Sequence, residues 1–166
     1  MQTEAHHAIQ LSIRLDSKIY AAIRKEALAQ GREVGEHIQS LLVSHAVEKL
    51  LDPAEGAKYA LRESLIASAI ETTLRLRHDS GMSCDISNQT FESCRADDRW
   101  LTDYAIYVEG DPYAPGNPRK NSLNKEIGFR IRKALDAEVD RDGNGKPITV
   151  EVAGSIIRRY TKFKVD

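Results

Sequence analysis

The chain has almost nothing from which covalent or catalytic chemistry is usually built. It holds two cysteines, Cys84 and Cys94, too few for a disulfide framework. There is no glycine-rich phosphate loop, no G-x-S-x-G elbow and no Cys–His pair at a motif spacing. No apolar run is long enough to span a bilayer, and the N-terminus MQTEAHHA has neither the basic start nor the apolar core of an export signal. An excess of one charge is also missing. With 24 Lys+Arg against 25 Asp+Glu the net charge is −1, which argues against a generic nucleic-acid coat. The expectations set by these absences are no enzyme, no cofactor, no membrane and a cytoplasmic setting.

What is present is the composition of a globular protein, 41% hydrophobic and 30% charged over 166 residues. Its charge is unevenly placed. Residues 1–51 carry 6 basic and 6 acidic side chains, residues 52–118 carry 6 and 12, and residues 119–166 carry 12 and 7. An acidic middle thus separates a neutral start from a basic end, a pattern that points to division of labour. Neutrality does not prevent a module from reading a DNA groove when its few cations share one face.

The stretch from Ile9 to Leu51 has the clearest pattern. Gln10, Ser12 and Arg14 alternate with Leu11, Ile13 and Leu15, the period of a half-buried strand. Asp16 or Ser17 can cap a following helix, which carries Tyr20, Ile23 and Ala27 on one face and ends at Gly31. A second helix runs from about Val34 to Leu51, with Val34, Ile38, Leu41, Leu42 and His45 on one stripe. A lone strand leaves its backbone groups unpaired, and no second strand follows closely enough to make a hairpin. The simplest partner is the same strand of a second copy, antiparallel across a twofold axis. Leu11, Ile13 and Leu15 then face the shared core, leaving Gln10, Ser12 and Arg14 outward. Those three side chains can read bases, because a two-stranded ribbon fits the major groove, where Gln pairs with adenine, Arg with guanine and Ser with either.

At these residues the chain resembles the ribbon-helix-helix family of small dimeric repressors, typified by the Arc and MetJ repressors. The resemblance runs without a gap from Gln10 through GREVGEHI and covers about the first third of the chain. It implies a homodimer bound to double-stranded DNA, in higher order where dimers sit side by side, with base contacts from Gln10, Ser12 and Arg14. It also implies that the start of the second helix, at Val34 and Gly35, offers backbone N–H groups to a phosphate. Where the family commonly caps that helix with Ser or Thr, this chain has Glu33, whose charge Lys18 and Arg32 can offset. The implied function is a sequence-specific repressor or autoregulator of phage or plasmid type, working at the nucleoid. The alternative is a DNA-anchored interaction protein: an antitoxin, a plasmid-transfer accessory or an inhibitor of a partner protein.

The remaining residues require their own account. Residues 1–8 read as a flexible arm in which His6 and His7 are solvated rather than metal-bound. Asp52 and Pro53 start a long helix that runs to about residue 78, with Leu61, Leu65, Ala69, Ile70 and Leu74 on one face. Residues 79–118 read as a loop-rich connection: DSGMSCDISNQTFESC shows little periodicity, and GDPYAPGNP holds three prolines. A short helix through Trp100, Leu101 and Tyr104 interrupts it, followed by extended chain at residues 105–108. His78, Cys84 and Cys94 lack the paired short spacings of a zinc site and read as free.

Residues 119–166 read as a basic α+β domain. Asn121 or Ser122 caps a helix with Leu123, Ile127, Ile131 and Leu135 every four residues. Beyond it, β-formers flank a Gly-Asn-Gly turn. A basic helix followed by a hairpin is loosely similar to a winged-helix domain. Lys125, Arg132, Lys133, Arg158 and Arg159 are therefore candidates for a second DNA contact, or the region serves a protein partner. Asp140, Asp142, Asn144 and Glu151 also match the oxygen spacing of an EF-hand calcium loop. Pro147 and the β-branched residues that follow favour a hairpin turn instead, so no metal is expected. The fold class expected for the whole is mainly α with short β: a ribbon-helix-helix module, a helical segment and a small α+β domain.

Overall fold

A computed structural model describes residues 12–29 and 33–165. Gln10, Leu11, Gly31 and Arg32 lie outside the described residues. Over the described residues the protein is mainly helical with one two-stranded sheet, and its contacts divide it into two compact units, Met1–Leu51 and Asp52–Asp166.

In the first unit, Asp16 opens α1 (Ser17–Ala29): its carboxylate accepts the Lys18 N–H at 2.8 Å and its carbonyl accepts the Tyr20 N–H at 2.9 Å. Glu33 precedes α2 (Val34–Lys49) in extended conformation, but its side chain makes no capping hydrogen bond. The two helices pack against each other through little buried material. Among the described residues of this unit only Ala27 and His37 are buried. Residues 12–15 are exposed and pair with no strand among the described residues.

The second unit has a core of its own. Asp52 caps α3 (Pro53–Ser80), accepting the N–H groups of Ala54 and Glu55 at 2.9 and 3.0 Å, and Pro53 occupies the first turn, where its missing N–H costs nothing. Leu65 and Ala69 on α3 are buried, while Leu74 is exposed. Next come α4 (Ile86–Arg95), α5 (Asp98–Val108) and α6 (Pro118–Ala134), then β1 (Thr149–Glu151) and β2 (Arg159–Thr161). The strands are antiparallel, with Val150 opposite Tyr160. Leu123, Ile127, Ile131 and Leu135 are all buried, as their spacing predicts, and meet Phe91, Trp100, Ile156 and Phe163 in one cluster. Trp100 is fixed twice, by donating to the Leu65 carbonyl at 3.2 Å and by stacking on Tyr104 with ring centres 5.0 Å apart.

That common core corrects the expected division of residues 52–166 into a helix, a loop-rich connection and a separate C-terminal domain. Residues 79–118 contain two helices whose side chains enter the same core as α3 and α6. α4 has a buried face, but two of its five buried residues are polar: Ser87 and Thr90 lie beside Ile86, Phe91 and Cys94. Thr90 is accommodated because its hydroxyl meets that of Thr73 at 2.9 Å and the Ile86 carbonyl at 2.9 Å. α5 continues through residues 105–108, where extended chain was expected. α6 starts four residues early because the Asn117 carboxamide accepts the Lys120 N–H and Pro118 fits the first turn. The Asp142–Gly145 turn reverses the chain as expected, with Arg141 bridged to Pro147. The β1–β2 connection is no projecting wing, since Ser155, Ile156 and Ile157 within it are buried.

Glu109 ends α5 in the left-handed region, at φ 55°, and ties three helices together. Lys58 of α3 contacts its carboxylate at 2.5 Å, and Arg119 of α6 also pairs with it. These two cations, Arg119 foremost, hold the carboxyl down at about 2. An unfolded glutamate takes up its proton near the ordinary value of about 4.3, so the tie stabilises the fold above that pH and fades as the pH falls toward 2. Glu109→Gln is therefore expected to flatten the fall in melting temperature between pH 4.5 and 2. An unchanged slope would show that the tie contributes nothing.

Candidate nucleic-acid interface

Ser12, Arg14 and Lys18 are exposed, and Arg14 and Lys18 have no ion-pair partner among the described residues. Beside them Ile13 is 53% exposed and Leu15 37%. Ile19, Tyr20 and Leu28 on α1 and Leu41 and Leu42 on α2 are exposed as well. The stripe predicted for α2 therefore lies mostly uncovered in the single chain: Leu41, Leu42 and His45 are exposed, and only Val34 and Ile38 are half-buried. At the start of α2 the Glu33 side chain caps none of the first-turn N–H groups, and a Cβ at Gly35 would meet nothing within 4 Å.

His37 escaped the sequence reading. It is 2% exposed, and its Nε2 lies 3.5 Å from Glu26 Oε2. Neither ring nitrogen makes a hydrogen bond, and the close approach of the two side chains links α1 to α2. The segment GEHI gave no sign of this, since an imidazole next to Ile38 fits either face of the helix.

In the second unit, Lys125 and Arg132 of α6 and Arg158 and Arg159 next to and in β2 line one cleft of about 530 Å³. Four of the five basic residues proposed for a second contact are thus brought together. Lys133 is exposed on α6 but does not line the cleft. Arg159 is held by Glu151 at 2.5 Å across the hairpin. Lys125, Arg132 and Arg158 have no ion-pair partner among the described residues. Phe129, 55% exposed, and Tyr160 add aromatic walls. Phe129 falls between Lys125 and Arg132 at helical spacing, a signal present in the sequence on the flank beside the buried stripe.

Two of the calcium candidates, Asp142 and Glu151, are used otherwise. The Asp142 carboxylate accepts the N–H groups of Asn144 and Lys146, and Glu151 pairs with Arg159. β1, not a helix, follows the loop. Cys94 is buried, and burial pushes its thiol up to about 11, while His78 is exposed and bonded to Asp79. Among the described residues no three His, Cys, Asp or Glu side chains converge as a metal site. Among the described residues no helix is long and apolar enough to cross a membrane. No family model, curated protein or solved structure matches the chain.

Proposed function

We propose that residues 9–51 form a ribbon-helix-helix module whose two copies pair strand to strand and read a specific site in double-stranded DNA. In this reading the protein is a homodimeric transcriptional repressor or autoregulator of phage or plasmid type. Gln10, Ser12 and Arg14 contact bases, Val34 and Gly35 clamp a phosphate, and Lys18 and Arg32 add backbone charge. The observation that carries it is the uncovered apolar set of the first unit. Ile13, Leu15, Ile19, Leu41 and Leu42 are each at least 37% exposed, in a unit that buries only Ala27 and His37 among its described residues. A module of that size cannot stabilise itself through so small a core, and a second copy would cover these side chains. The uncapped start of α2 supports the phosphate clamp, since a helix N-terminus without a side-chain cap keeps its donors free for an anion.

The test is a binding titration on DNA from upstream of the protein's own coding region. Arg14→Ala should weaken specific binding by about 1–3 kcal/mol, while retention of non-specific DNA changes little. Full-strength specific binding by the folded variant would defeat the base-reading role.

A further inference from the structure

The cleft between α6 and β2 differs from a surface that merely tolerates nucleic acid. A duplex is contacted by cations spread along its grooves and backbone. Here the cations converge on a concavity whose size falls in the range of small-ligand sites. Lys125 and Arg132 stand two helical turns apart on α6, and Arg158, just before β2, lines the same cleft. Between the two α6 cations Phe129 presents a ring that is 55% exposed. Gly128 leaves one wall without a side chain, and a Cβ there would meet nothing within 4 Å. The opposite wall is fixed, because the Tyr160 hydroxyl donates to Asp85 at 2.8 Å.

Most of the positive charge at this place has no carboxylate partner among the described residues. Lys120 is buried, and its ammonium donates to the Ala114 carbonyl at 3.1 Å. Burial, and next the Arg158 guanidinium, hold it below the ordinary lysine value against the opposite pull of Asp111. Only Arg159 among the four lining cations has a carboxylate partner among the described residues. An anion entering the cleft would relieve that repulsion. An aromatic wall between cations adds a second demand, for a planar group attached to the anion.

We propose that this cleft binds a nucleotide, with its phosphate on Lys125, Arg132 and Arg158 and its base against Phe129. The same chemistry is offered by a free mononucleotide and by a single strand of DNA, and the site rests on residues separate from the N-terminal module. The test uses the full chain in calorimetric titrations with adenosine 5′-monophosphate, an eight-residue oligothymidylate, inorganic phosphate, adenosine and a duplex of unrelated sequence. Binding of the mononucleotide at least tenfold tighter than phosphate or adenosine alone supports the site and makes a free nucleotide its ligand. Tight binding of the oligothymidylate with none of the mononucleotide supports it with a single strand as the source. Phe129→Ala should then weaken binding about tenfold or more, while Phe129→Tyr retains it. Lys125→Gln and Arg132→Gln should each weaken it and lower its salt dependence. These side chains are exposed, and equal melting temperatures would confirm that the variants fold. Equal affinity for phosphate alone, binding of the duplex only, or indifference to Phe129→Ala would each overturn the proposal.

Discussion

Ile13→Asp is expected to turn the protein into a monomer at micromolar concentration and to abolish specific DNA binding. The side chain is 53% exposed in the single chain and, in the proposed dimer, enters the shared core. Burying an isoleucine contributes about 1.5–3 kcal/mol, and a dimer buries two, so the loss is about 3–6 kcal/mol before the penalty for two facing carboxylates. That corresponds to a dissociation constant raised roughly 10²- to 10⁴-fold. Sedimentation would show the change in mass. Ile13→Val should stay dimeric, and residues 52–166, which have their own core, should keep their helical signal in both variants. A dimeric, DNA-binding Ile13→Asp protein would end the proposal of a strand-paired module.

The second large effect lies in the other unit. Trp100→Ala should destabilise residues 52–166 by about 3–5 kcal/mol, the range found when a large buried ring is truncated. The ring is 4% exposed, stacks on Tyr104 and donates to the Leu65 carbonyl, so α3 and α5 lose their common anchor. The melting transition should fall by on the order of 10–20 °C. A shift of less than about 4 °C would mean that the cavity collapses readily, and that the core tolerates loss of its largest ring.

Sequence reading succeeded where one apolar period decides the structure. Leu123, Ile127, Ile131 and Leu135 recur every four residues and are all buried, and Asp52–Pro53 starts α3 by cap and ring geometry alone. It failed at α4 for a physical reason. Thr90 and Ser87 occupy interior positions there, and a stripe counted in apolar residues breaks at each of them. Whether Thr90 can be buried depends on Thr73, seventeen residues away on another helix, which no local pattern reveals. The same limit explains the single core of residues 52–166, since the loop GDPYAPGNP looks like a boundary. Instead its Asn117 carboxamide donates back to the Val108 carbonyl at 2.8 Å and holds α5 to α6. For the cleft, the basic residues were legible but their convergence was not. Arg158 and Lys125 are brought together only by the inward fold of Ile156 and Ile157.

The unequal burial of the two thiols determines where the native chain reacts with electrophiles. Cys94 is sunk in the core and stays protonated at neutral pH, whereas Cys84 is only half-buried. Alkylation in the folded state is thereby directed to one position, without any substitution. The Cys84 carbonyl accepts the Phe163 N–H at 3.1 Å, and the next residue, Asp85, holds the Tyr160 hydroxyl. A maleimide-linked fluorophore would thus be attached beside the aromatic wall of the cleft, where its emission would register an arriving ligand.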